Sequence, residues 1–152
     1  MPTLTRLAAL VLFGIMALYL GSQYQSLQDE IPESQGANLF FAATAAAVGW
    51  LFVGRRIDHS FIRGFTVVVQ GYVATLLLLL VLSATYDIFA KGYRMRYRTF
   101  GDALDGSLIH ATSVLQQMMV ANYLILVLGG AVVINILLVL VYRFTEAKRL
   151  AG

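Results

Sequence analysis

The sequence predicts an all-α, polytopic membrane protein: a four-transmembrane-helix bundle with an additional amphipathic interfacial helix between helices 3 and 4. Three observations predict it. Of 152 residues, 59% are apolar and 12% charged, against roughly 25% charged in an average soluble domain. Four apolar stretches take up most of the chain and leave no room for a separate soluble core, so residues 1–152 read as one transmembrane domain. The basic residues collect at the ends of those stretches, where a bilayer tolerates them.

The first span runs over about 4–20. Apolar except for Thr5 and Arg6, this run of about 17 residues is at the lower limit for crossing roughly 30 Å of hydrocarbon at 1.5 Å per residue. A cleavable signal peptide is the alternative, but no Ala-x-Ala-like site follows Gly21 and Ser22, whereas further spans do. Tyr19 and Tyr24 suit the outer interface. The next segment, Gly21 to Ala37, holds Asp29, Glu30, Glu33 and Pro32 without Lys or Arg, and reads as a non-cytoplasmic loop ending at Asn38 as an N-cap. The second span, about 39–53, is rich in alanine. Ala45 and Gly49 stand four apart, so backbones can approach closely, and this span is expected to be innermost.

Arg55, Arg56 and Arg63 then frame a hinge. Arginine at the centre of a bilayer helix costs about 3 kcal/mol, so these three belong among the headgroups. The third span, about 61–90, is capped by Asp58 or Ser60 and is longer than the hydrocarbon requires; Asp87 and Lys91 lie four apart near its end and are expected to pair. Lys91, Arg94, Arg96 and Arg98, interleaved with Tyr93 and Tyr97, form the densest basic patch.

Residues 100–118 give the amphipathic helix. At about 100° per residue, Phe100, Leu104, Ser107, Ala111, Val114, Leu115 and Met118 share one face; Asp102, Asp105, Thr112, Ser113 and Gln116 lie opposite, with Ile109 the exception. Thr99 and Asp102 form a weak capping box. The last span, about 120–142, carries Gly129 and Gly130 as a second close-packing site and Asn135 as its one strongly polar residue. Counted inward, Gln70 and Asn135 lie nine and seven residues from the ends near Phe61 and Tyr142, so a hydrogen bond between them is expected to set the register of the third and fourth spans.

Orientation follows from counting. With both termini cytoplasmic, Arg6, Arg55, Arg56, Arg63, Arg143, Lys148 and Arg149 lie inside and Lys91, Arg94, Arg96 and Arg98 outside, seven against four.

Met1-Pro2-Thr3 with Arg6-Leu7, Val48-Gly49-Trp50, Gly54-Arg55-Arg56, Gly64, and Arg96-Tyr97-Arg98 leading to Asp102-Ala103-Leu104 together resemble the TrgA family of small membrane proteins associated with tellurite resistance. The likeness runs through most of the chain. The resemblance implies a four-helix, multi-pass protein of a bacterial inner membrane, linked to tolerance of a tellurium oxyanion. It implies no reaction, and no catalytic residues carry over.

The residues themselves also point away from catalysis. The chain has no cysteine, which removes disulfides, thiolate metal sites and thiol reduction of an oxyanion. It has no Gly-rich phosphate loop and no His-Glu-x-x-His. Asp58, His59 and Ser60 are consecutive and cannot converge on one reacting atom as a triad does. His110 has no second ligand at helical spacing, so no metal, cofactor or catalytic residue is expected. The net charge of +3 is juxtamembrane rather than a nucleic-acid footprint. Arg55, Arg56, Arg63, Arg94, Arg96 and Arg98 are the candidate contacts for lipid phosphate or an anion. Ala45, Gly49, Gln70, Gly129, Gly130 and Asn135 are the candidate packing residues.

Two functions fit. The first is a non-catalytic accessory or assembly subunit that works by association with another membrane complex or with itself. The second is a small anion transporter or channel, built as an oligomer because four apolar helices make a poor water path.

Overall fold

The computed structural model describes residues 3–26, 35–92 and 100–150. They fold into helices joined by short turns, with no strand among the described residues: α1 (Thr3–Ser26), α2 (Gln35–Arg56), α3 (Phe61–Gly92), α4 (Phe100–Met118) and α5 (Ala121–Leu150). Four of these contain stretches long and apolar enough to span a membrane, at Leu4–Ser26, Gln35–Arg56, Phe61–Tyr86 and Ala121–Thr145. Side chains such as Leu7, Ile15, Leu39, Leu77, Val81 and Ile125 point outward. In water they would form an apolar patch far beyond what a monomer carries; in a bilayer they are the lipid-facing surface.

Boundaries differ from expectation chiefly at the polar ends. α1 continues past Leu20 to Ser26, and α2 begins at Gln35. Asn38 is therefore not an N-cap: it lies inside α2 and donates from Nδ2 to Gln25 Oε1 at 3.3 Å, stitching the two helices together. Tyr24, expected at the interface, is buried. The loop acids Asp29, Glu30 and Glu33 lie outside the described residues, as do Arg94, Arg96, Arg98 and the Thr99 cap. The side chains of Asp87, Lys91, Asp102 and His110 are likewise outside the description.

α1 packs against α2 and α5, and α3 packs against the same two helices. Their shared core comprises Ala9 and Phe13 from α1, Ala45 and Val53 from α2, Val68 from α3, and Ala131, Ile134 and Leu138 from α5, with Ile57 of the following turn. No single helix is innermost. α2 and α5 each bury 33% of their most apolar stretch, against 22% for α1 and 17% for α3, so the alanine-rich span shares that role with α5. α4 rests against α3, with Asp105, Thr112 and Gln116 exposed as expected and Leu108, Ile109 and Leu115 exposed beside them.

The α1–α2 seam runs antiparallel on small residues. Gly21 faces Asn38 and Phe41, Gly14 faces Ala42 and Ala46, Gly49 faces Ala9, and Gly54 faces Arg6. This register depends on a π turn at Gly49–Val53. Five residues of regular α-helix rotate the chain by about 500°, leaving Gly49 and Gly54 roughly 140° apart. In the π turn the Gly54 N–H bonds to the Gly49 carbonyl, five residues back, and both glycines come to face α1. A Cβ on Gly49 would stand 2.5 Å from the Ala9 carbonyl oxygen, and one on Gly54 2.7 Å from the Arg6 Cα. Only glycine permits that approach.

Candidate functional site

The hinge of the sequence becomes a tight turn at one end of the bundle. Ile57 leaves the helix in an extended conformation (φ −62°, ψ 133°) with its side chain buried in the core, and its N–H closes on Val53 O at 3.1 Å. Asp58 then organises the turn. Its Oδ1 accepts the His59 backbone N–H at 2.7 Å and contacts the His59 ring Nδ1 at 2.5 Å, while Oδ2 lies 3.5 Å from Arg63 Nη1. These partners, the His59 backbone N–H first among them, hold the Asp58 carboxyl below its ordinary value. The Gly64 N–H bonds Ser60 O at 2.9 Å and starts α3.

α5 reaches over to hold this turn. Arg143 donates from Nε and Nη2 to the His59 carbonyl at 3.2 and 2.8 Å, and its guanidinium lies 4.6 Å from the centre of the Phe61 ring. Two turns deeper, Asn135 donates from Nδ2 to the Phe61 carbonyl at 2.9 Å. Asn135 is 5% exposed and its Oδ1 has no hydrogen-bond partner. Gly64 lies directly against that oxygen, leaving no space for a larger residue.

This corrects one expectation. Asn135 does set register between α3 and α5, but its partner is a backbone carbonyl, and Gln70 is exposed on the outside of α3. The other packing candidates divide. Ala45, Gly49 and Gly130 are buried, the last against Met16 and Tyr72. Gly129 is exposed, with nothing within 4 Å of where its Cβ would be.

Three arginines remain on the surface of this end. Arg55 and Arg56 are exposed at the end of α2, with the Arg56 guanidinium 4.1 Å from the centre of the Phe52 ring, and Arg63 is exposed on the first turn of α3. Among the described residues, no group of three or more His, Asp or Glu is placed to hold a metal ion. Asp58 and His59 do touch, but both serve the turn, and the ring is exposed.

The opposite end is built from neutral hydroxyls. Tyr24 donates to Gln117 Oε1 at 2.9 Å and packs edge-on to Tyr123 at 6.2 Å; Tyr123 donates to the Leu20 carbonyl at 3.3 Å. Tyr72 meets Phe13 edge-on at 5.5 Å. Sequence reasoning gave Arg143 only a topological place and missed Tyr72 and Tyr123: Arg143 and Tyr123 are marked only by standing near the ends of an apolar run, and Tyr72, inside one, by nothing.

Fold and site together define a helical bundle with four apolar helices fit to cross a membrane and a cationic turn at one end. Comparison with known protein families, curated proteins and solved structures finds no significant match.

Proposed function

We propose that this chain is a non-catalytic, multi-pass protein of a bacterial inner membrane that acts by association, as an accessory or assembly subunit of another membrane complex or as a homo-oligomer. Both termini and the arginine turn lie on the cytoplasmic side, and α4 lies in the plane of the opposite interface. The resemblance to the TrgA family links this role to tellurite tolerance.

One observation carries the reading. Asn135, bonded to Phe61, and Tyr123, bonded to Leu20, hold helices of the bundle to one another, while small residues remain unused on the outside. Ala43 and Ala47 stand four apart on the exposed face of α2, and Gly129 is open on α5. Small outward residues among large apolar ones are the features by which membrane helices associate, because lipid chains are as apolar as leucine and only close packing discriminates. Crosslinking in native membranes, with identification of the captured protein, is the test. A reproducible partner or a dimer is expected; a lone monomer, both in the membrane and in mild detergent, overturns the proposal.

The second reading is an oligomeric anion transporter, favoured by the exposed Arg55, Arg56 and Arg63 at one mouth. The core of one protomer is closed by Phe13, Val53, Ile134 and Leu138, so any path would run between protomers. Oxyanion flux into proteoliposomes that is lost in R55Q/R56Q supports it, and absence of flux removes it.

A further inference from the structure

We infer that the arginine turn is a binding site for an anionic phospholipid, whose phosphate headgroup is held by Arg55, Arg56 and Arg63 and whose acyl chains run along α2 and α3. Between positions 51 and 63 stand three arginines and one acid. That acid, Asp58, is already engaged by His59 and by Arg63, so the local field stays positive. The fourth guanidinium of the turn, Arg143, is bound to the His59 carbonyl. Three exposed guanidiniums are left, and two have a defined place: Arg56 against the Phe52 ring and Arg63 beside Asp58. Guanidinium presents paired donors in the geometry that phosphate oxygens accept.

The surroundings select a lipid over a free oxyanion. The arginines are flanked by outward-facing apolar side chains, Leu51 on α2 and Phe61 and Ile62 on α3, and Ile62 is 83% exposed. A small anion has no use for that rim. An acyl chain attached to a phosphate does, and each arginine near an anionic surface contributes about a fivefold gain in affinity. The inference rests on the membrane placement proposed above, and the test separates the two.

Trp50 is the only tryptophan of the chain. It lies five residues before Arg55, in the π turn, roughly 7 Å along the helix from the arginines at the depth of the upper acyl chain. The full-length protein is reconstituted in vesicles of mixed phosphatidylcholine and phosphatidylglycerol, with one or the other dibrominated near the top of its acyl chains, and Trp50 fluorescence is recorded. Quenching by brominated phosphatidylcholine alone reports membrane insertion, and its absence sinks the placement. The brominated phosphatidylglycerol is expected to quench with an apparent binding constant at least about threefold higher at equal mole fraction. R55Q/R56Q/R63Q should bring the ratio to one. R55K/R56K/R63K, which keeps the charge without the fork, should retain part of it, and inserts under the same topological signal if the glutamine variant does not. Equal quenching by the two lipids in the native protein overturns the inference. So does loss of the preference when inorganic phosphate replaces chloride at constant ionic strength, which would assign the turn to a free oxyanion.

Discussion

The α1–α2 seam and the α3–α5 seam hold two antiparallel helix pairs together by different means. Along α1–α2 the contacts are small residues set opposite one another, Gly14 on Ala42 and Ala46, Gly49 on Ala9, Gly54 on Arg6, so that main chains nearly touch. Along α3–α5 side chains of α5 bond carbonyls at the start of α3: Arg143 to His59 and Asn135 to Phe61. Without a hydrophobic effect to press apolar helices together, a bilayer leaves these two routes, close dispersion contact and hydrogen bonding. At Gly49 and Gly54 the first tolerates no added atom, whereas the hydrogen-bonding side chains of the second can be replaced at modest cost. Substitutions that separate the two routes differ in size accordingly.

Gly49→Leu should have the largest effect. Its Cβ alone would stand 2.5 Å from the Ala9 carbonyl oxygen and 3.0 Å from the Phe13 Cβ, and backbone cannot swing aside as a side chain does. Gly49→Ala is expected to cost about 1–3 kcal/mol as an overpacked core does, and Gly49→Leu more, measured by unfolding in mixed micelles. If Gly49→Ala is as stable as the native chain, the π turn does not bring α2 onto α1 as described.

Asn135→Ala comes second, at about 1 kcal/mol or less. The bond to Phe61 is lost, but so is a buried oxygen without a partner, and the two changes offset each other. Amide exchange should quicken at the start of α3 while α1 and α2 stay protected. A loss as large as that of Gly49→Leu would place the two seams in the same class.

How much of this was legible in the sequence follows the same division. Four apolar spans and the α4 boundaries could be read because apolar runs carry their meaning locally, and small residues at spacing four mark Ala45 and Gly49, both buried. The π turn could not, since Gly49 and Gly54 stand on different sides of a regular helix. The partner of Asn135 could not either: it is a main-chain carbonyl 74 residues away, and no side-chain pattern marks a carbonyl. Gln70 looked equivalent to Asn135 by depth and faces outward instead, because depth is readable from a sequence and helix rotation in a bundle much less so. Asn38 is no cap because α2 extends a turn beyond its apolar run, which places Asn38 where it bonds Gln25 of α1.

The α3–α5 seam also has a titrating support, since Arg143 binds a carbonyl of the turn shaped by Asp58. The Asp58 carboxyl is held below its ordinary value of about 4, so its contribution is complete above that value and is lost as pH falls through the lower, folded value. Native protein and Asp58→Asn should therefore differ in thermal stability at pH 7 and pH 5 by the same small amount. The difference should begin to shrink only below about pH 4 and vanish once the pH has passed below the lower, folded value. A difference that persists unchanged into strong acid would show that the Asp58 carboxylate does not support the turn.

The smallest effect on folding is expected at Gly129, and its neighbour shows why. Gly130 is buried, and a Cβ there would collide with the Met16 side chain and come within 3.3 Å of Tyr72 Oη. One residue earlier the helix has turned by about 100°, and Gly129 meets nothing within 4 Å. Gly130→Leu should cost stability, though less than Gly49→Leu because the end of the Met16 side chain can move aside, whereas Gly129→Leu should leave the unfolding transition unchanged or raise it slightly, since glycine is a poor helix former. The second readout is crosslinking in the membrane. If Gly129→Leu folds normally yet loses the captured partner, close packing serves this chain twice, inward at Gly130 and outward at Gly129. If both folding and capture survive, the outward glycine faces only lipid, and association must be sought on the Ala43–Ala47 face of α2.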